Sequence, residues 1–369
     1  MKAYIVCIGI TLIINLLATL FINKKNKIVG IVLLSLSLFI ICFIAGVRDT
    51  TVGADVNGYV KRLTLVSESS PNFFVYMKNA GSDFLFSILV YFSYLSRNIN
   101  VTLGIIELAV SLPIYIYAYI NNKKTPVFVT ILIFLLTMYC TSLNNMRQSI
   151  AISLSILSYY FYDELKKKKT AYFILFLAIL FHRTAIVMLV AILINKIIKN
   201  DTKFNKKQAI IFIFIIITLL SPLLEKIVSN SYYSYYLNNE NSREFSIGTI
   251  IKKTFFVAIW AICLIINKDK GKRLNITIGL IISILSLYCA IMSFIVPGLG
   301  RLGYYFTDLM YFLLIDYIPS VFKQKKIIAF LLIIVLSILW WKMTKVEDDP
   351  AKVYPYSSSS IQFLNEEWR

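Results

Sequence analysis

Residues 170 to 198 read TAYFILFLAILFHRTAIVMLVAILINKII, two apolar arms that meet at Phe181-His182-Arg183-Thr184. Lysines crowd both ends, from Lys166 to Lys169 before the stretch and from Lys196 to Lys207 after it. Basic clusters flanking membrane segments stay on the cytoplasmic side. An even number of crossings must therefore lie between them, and the chain turns back at the polar centre. Each arm offers about 12 residues, or roughly 18 Å of helix at 1.5 Å per residue, less than the roughly 30 Å of hydrocarbon. The apex is expected inside the outer leaflet, where polar backbone and a charged side chain are tolerated only against protein or a water-filled cavity.

The rest of the chain repeats this alternation of apolar runs and lysine clusters. Of 369 residues, 58% are hydrophobic and 15% charged, more apolar surface than a water-soluble fold can hide. The mean hydropathy is +0.74. Apolar segments run approximately from Ala3 to Ile22, Ile28 to Ala45, Val101 to Ile120, Val127 to Leu143, Gln148 to Tyr162, Gln208 to Leu224, Thr249 to Asn267, Leu274 to Val296, Tyr304 to Pro319 and Ile327 to Trp341. With the 170–198 hairpin they predict an all-α polytopic membrane protein of about 11 to 12 transmembrane helices, with re-entrant or short polar-apex hairpins. It forms a single integral membrane domain over residues 1–369. The short segment from Asp83 to Leu95 is read as re-entrant, because a full crossing there would set Lys123 and Lys124 on the external face. Three lysines follow the first run and no A-x-A cleavage site appears, so that run is read as a retained first helix. The cysteines Cys7, Cys42, Cys140, Cys263 and Cys289 lie within or at the ends of apolar segments, unpaired in spacing, and are read as packing residues.

Sidedness follows from the lysines. Lys24, Lys25, Lys27, Lys166–Lys169, Lys196–Lys207, Lys268–Arg273 and Lys323–Lys326 are assigned to the cytoplasm. The external face then receives the loop 47–82, the turn at Asn144–Arg147, the His182 apex, the loop 225–248, the turn Pro297–Gly303 and the C-terminal tail 344–369. The net charge of +19 is thereby explained by lipid and orientation, and no nucleic-acid partner is expected.

Arginine, not lysine, is the basic residue at most external positions: Arg48, Arg147, Arg183, Arg243 and Arg301 stand singly at helix ends or apices. A guanidinium offers a planar fork of donors suited to phosphate oxygens. The plainer reading of each is a side chain snorkelling to the headgroups. His182 has the same two sides, a hydrogen-bonded structural histidine or a group placed for proton chemistry in a deep polar break. Asp308 and Glu107 are acids within apolar runs, functional candidates or partners of a buried arginine. The stretch Tyr232 to Tyr236 is either an interfacial aromatic belt or a stacking surface for sugar rings.

Several chemistries lack their residues. There is no G-x-x-x-x-G-K-[ST] loop for a nucleotide motor and no H-E-x-x-H for a zinc protease. No Asp-x-Asp pair sits on a cytoplasmic loop, which disfavours metal-dependent use of a nucleotide-sugar. Neither a metal nor a cofactor is expected.

The external residues also fall into an ordered set of motifs. Gly46-Val47-Arg48 and Val52-Gly53-Ala54-Asp55 with Tyr59 come first, then Asn145-Met146-Arg147-Gln148-Ser149-Ile150-Ala151, Leu180-Phe181-His182-Arg183-Thr184-Ala185, and Arg301-Leu302-Gly303-Tyr304-Tyr305-Phe306. The set resembles the Wzy/EpsG-type polysaccharide polymerases of bacteria, with Asn57-Gly58 standing where the family pattern leads to expect an asparagine just before Tyr59. The resemblance implies a GT-C-like fold in the bacterial cytoplasmic membrane. It implies an enzyme that joins oligosaccharide repeat units carried on undecaprenyl diphosphate at the external face, making O-antigen, capsule or exopolysaccharide. Lipid-linked oligosaccharide, membrane lipid, a flippase and a chain-length regulator are the partners it implies.

On this reading arginines stabilise charge on the leaving diphosphate without a metal, and His182 or its rival Asp55 takes the acceptor proton. His182, Asp55, Arg147 and Arg301 are the catalytic candidates. Arg48, Tyr59, Arg183, Arg243, Tyr304, Tyr305 and Asp308 are the substrate-binding candidates. An O-antigen ligase, a transporter of lipid-linked oligosaccharide and a structural membrane subunit are the alternatives. A transporter would be expected to show two related halves, and no internal repeat is visible.

Overall fold

The computed structural model describes residues 2–199, 247–294, 298–343 and 352–364, and all regular structure among them is helical. The expected crossing at 208–224, nearly all of the 225–248 loop including Tyr232–Tyr236 and Arg243, and the start of the tail lie outside the described residues. The chain divides into two compact units, Met1–Arg183 with Leu331–Arg369, and Thr184–Phe330. The protein is an all-α polytopic membrane protein. Among the described residues five helices are long and apolar enough to cross a bilayer: Lys2–Asn23, Lys27–Gly46, Ile99–Asn121, Ile247–Ile266 and Lys270–Met292.

In the first unit, α1 (Lys2–Asn23) and α2 (Lys27–Gly46) are joined by the Lys24–Asn26 turn, where the Asn26 side chain caps α2 by accepting from the Val29 amide. Because lipid gives apolar faces no reason to associate, close backbone approach and buried polar contacts must hold the bundle. Both are present. A Cβ on Gly46 would lie 2.9 Å from the carbonyl of Asn100, so α2 meets α6 (Ile99–Asn121) where neither has bulk. Ser37 of α2 donates to Asn15 of α1 at 3.1 Å and lies 3.0 Å from the Tyr115 hydroxyl of α6. Glu107, inside α6, accepts from Ser111 and from Ser142, and is a buried structural acid.

The region between α2 and α6 holds a π-helical turn at Val56–Lys61 and the short helices α3 (Arg62–Ser69), α4 (Phe73–Ala80) and α5 (Phe84–Ser93). After α6 come α7 (Val127–Thr137), α8 (Tyr139–Ser142), α9 (Met146–Asp163) and α10 (Lys168–Phe181). The run read as one segment from Val127 to Leu143 breaks at Met138. Helix α9 is buried along nearly its whole length, which is why it carries Arg147, Gln148 and several serines without facing lipid.

Contacts fix the two ends of this unit. Asn122 donates to Asn23, the amide of Phe128 donates to Thr19, and Lys124 pairs with Glu164 at 2.6 Å. Lys123 and Lys124 therefore sit at the same end as Lys24 and Lys166. Helix α5 has 10 residues, roughly 15 Å. It starts beside Arg147 and leads into the N-terminus of α6 beside Gly46, at the opposite end. It does not cross, which removes the conflict that the lysine pair posed.

The 3₁₀ turn Arg183–Val187 begins at the last residue before the second unit and leads into α11 (Met188–Lys199), and α12 (Ile247–Ile266), α13 (Lys270–Met292) and α14 (Gly298–Tyr317) follow. Helix α14 is buried from Tyr305 to Tyr317. A helix shielded from lipid in this way accommodates Asp308 and Asp316 that a lipid-facing span would exclude. The helix Lys325–Met343, α15, spans the boundary between the units.

Candidate functional site

The site is built at the end of the first unit opposite the lysines, on the turn Leu143–Asn145 that starts α9. Three motif residues brace that turn. Arg48 is 2% exposed and donates to the carbonyls of Ala45 and Leu143, both at 3.0 Å. Gly53 adopts φ 95° and presses against the Leu143 carbonyl, where no side chain fits. The amide of Asp55 donates to the Asn144 side chain at 2.9 Å. The tail adds an outer layer: the amide of Gly53 donates to the Lys352 carbonyl, Asp49 and Ser357 bond through the backbone, Ser359 donates twice to the Asp49 carboxylate, and the Tyr356 hydroxyl donates to Ile44.

The braced turn presents Arg147. Its guanidinium donates from one terminal nitrogen to Asp83 Oδ2 at 2.9 Å and to Ser82 Oγ at 3.5 Å, and its central carbon lies over the Tyr59 ring, 3.7 Å from the centroid. Helix α10 stops at Phe181, and His182 leaves it in an extended conformation with its amide still bonded to Ala178. This break, where the sequence places the apex, turns the imidazole so that Nδ1 lies 3.1 Å from the same Asp83 Oδ2. Residues 64 and 99 positions from Asp83 thus share one carboxylate oxygen.

Asp83, Arg147 and His182 are all buried. Burial opposes the charged form of Asp83, but the His182 hydrogen bond and the charges of His182, Arg147 and Arg183 outweigh it and hold the carboxyl below its ordinary range. Arg183 itself is exposed beside His182. With Arg147 balanced by Asp83, Arg183 leaves the cluster net positive.

Three of the residues expected from the sequence, Tyr59, Arg147 and His182, therefore come together. In the sequence Asp83 reads only as the edge of a segment, although an acid opening a short apolar run is the signal that marks it. Asp55 is half-buried at the start of the π-helical turn. Arg48 points inward to backbone carbonyls and braces the turn, a geometry that favours positioning over direct contact with substrate.

The second unit holds its own polar cluster. Arg301 and Tyr304 are half-buried on the first turns of α14, and the Tyr305 hydroxyl lies 3.1 Å from Thr184 Oγ1. Asp308 is buried within electrostatic reach of Lys252 and Lys253 of α12. Lys253 donates to the Ser286 carbonyl at 3.1 Å, and Ser286 Oγ and Thr307 Oγ1 are 2.6 Å apart. The sequence expectations do not single out these two lysines within the apolar run from Thr249 to Asn267, although adjacent charges inside such a run are the available signal.

Comparison with known proteins adds the family. No curated protein and no solved structure matches the chain. The model of the EpsG family matches residues 31–358, a span that includes every motif named above from Gly46 to Phe306 and the tail residues Lys352, Tyr356 and Ser357 that brace the site. With most of its length inside that match, the chain belongs to the EpsG family.

Proposed function

We propose that this polysaccharide polymerase joins undecaprenyl-diphosphate-linked oligosaccharide repeat units at the external face of the bacterial cytoplasmic membrane. The family supports the polymerase class. The observation that carries the finer reading is the Arg147–Asp83–His182 network with exposed Arg183 at the end opposite the lysines. The positive-inside rule assigns the lysine end to the cytoplasm, so the network belongs to the outer side. Helix α10 has 14 residues, roughly 21 Å and less than the hydrocarbon thickness, so the reading sets His182 below the outer headgroups, in a polar cavity that admits the diphosphate from the outer leaflet.

In the reaction, a hydroxyl oxygen of the acceptor glycan attacks the anomeric carbon of the donor. The bond from that carbon to the phosphate oxygen breaks, and undecaprenyl diphosphate leaves with the electron pair. His182 takes the hydroxyl proton as general base and later releases it to water. Arg183 meets the leaving diphosphate, with Arg147 supplying fixed charge behind it. Arg301 of the second unit is a further anion-binding candidate, and Tyr304, Tyr305 and Asp308 are substrate-binding candidates around it. A flippase and a chain-length regulator are proposed as partners in the membrane.

The test is reconstitution of the purified chain in lipid nanodiscs with lipid-linked oligosaccharide extracted from the producing cells as both donor and acceptor. A ladder of products with release of undecaprenyl diphosphate is expected. Transfer only to a different, non-polymerising acceptor would contradict the reading.

A further inference from the structure

We infer that Asp83 is the positioning residue of this site, holding His182 with Nδ1 protonated so that Nε2 carries the lone pair that meets the acceptor hydroxyl. The inference rests on the reading of His182 as the base. An ionised carboxylate accepts hydrogen bonds and donates none. Asp83 is paired with Arg147 at 2.9 Å, and its carboxyl is held below the ordinary range, so it is ionised wherever the protein works. The 3.1 Å contact between Asp83 Oδ2 and His182 Nδ1 must then be an N–H donated by the ring. In the neutral imidazole one nitrogen carries the proton and the other the lone pair, so fixing Nδ1–H fixes the base at Nε2.

The arrangement also restrains the carboxylate. Arg147 donates to the oxygen that His182 uses, and its guanidinium is itself held over the Tyr59 ring. The His182 backbone is anchored by its amide on Ala178. Charged groups that act on the shared carboxylate are His182 itself, Arg147 at the start of α9 and Arg183, the chain neighbour of His182. Removing the Asp83 carboxylate takes an acceptor from Nδ1 and a negative charge from 3.1 Å away, which disfavours both the Nδ1–H form and protonation during turnover.

The chain contains a single histidine, so ring-¹⁵N-labelled histidine reports His182 alone. The experiment records its nitrogen spectrum in lipid nanodiscs at a pH where the ring is neutral, for the parent and for Asp83→Asn. Turnover and KM are measured on the extracted lipid-linked oligosaccharide. The expected result is the Nδ1–H tautomer in the parent, and a shift toward Nε2–H in the variant with a turnover loss of about 100-fold and little change in KM. The parent spectrum needs no variant, so a poorly folding Asp83→Asn protein does not shield the inference. An Nε2–H tautomer in the parent overturns it. So does an unchanged tautomer in the variant, or a changed tautomer with unchanged turnover. The predicted tautomers in a parent that makes no polymer would uphold the hold of Asp83 on His182 and overturn the polymerase reading instead.

Discussion

The guanidinium carbon of Arg147 lies over the Tyr59 ring, 3.7 Å from its centroid, while one of the guanidinium nitrogens is tied to Asp83. A planar cation is held on two sides, by an aromatic face and by a carboxylate, and lysine reproduces neither geometry. Tyr59→Phe keeps the face and is expected to polymerise at near-parental rate. Tyr59→Leu removes it and is expected to lose roughly 2- to 30-fold, the range of a cation–π contact. Arg147→Lys is expected to lose at least as much as Tyr59→Leu. Rates at matched protein levels check all three, and an Arg147→Lys protein as active as the parent would remove the case for charge geometry.

Arg48 separates bracing from binding. Its donors satisfy the carbonyls of Ala45 and Leu143, so Arg48→Ala leaves buried acceptors unpaired, each costing about 1–3 kcal/mol. A clear drop in thermal stability in detergent is expected. Arg183→Ala, at an exposed position, should leave stability unchanged and raise KM for the lipid-linked donor. Reversed phenotypes would mean that Arg48 is the substrate contact.

The Asp83 pairing sets an acid limit. Its carboxyl is depressed below the unfolded value of about 3.9. The stability it contributes is therefore fully present above that value and is lost as pH falls through the lower folded value. Below about pH 4 the difference in melting temperature between the parent and Asp83→Asn should shrink. A difference that stayed unchanged as the pH fell below about 4 would show that Asp83 does not carry this linkage.

Much of this was legible in the sequence. Helices α1, α2 and α6 begin and end within about two residues of their apolar runs, and the helix break falls at His182, because lipid demands long apolar spans and a polar apex cannot hide within one. The pairing of His182 with Arg147 through Asp83 was not legible. It joins residues far apart in sequence, and no periodicity encodes which distant acid a buried cation will find. The inward turn of Arg48 was hidden for a related reason: a guanidinium at a helix end reads alike whether it meets a headgroup, a phosphate or a carbonyl. Burial of α9 and α14 explains why their polar residues diluted the apolar signal that marked the other spans.

The central claim is that polymerisation runs through the His182 site. Its most direct test is polymer chain length and rate from extracted lipid-linked repeat units with the His182→Ala protein, at matched levels in the same lipid. The arms of α10 and α11 do not depend on the imidazole, so the protein should fold. The account predicts a rate loss of at least about 100-fold, with lipid-linked units accumulating unextended. Near-parental chain length and rate would contradict it and return His182 to a structural role.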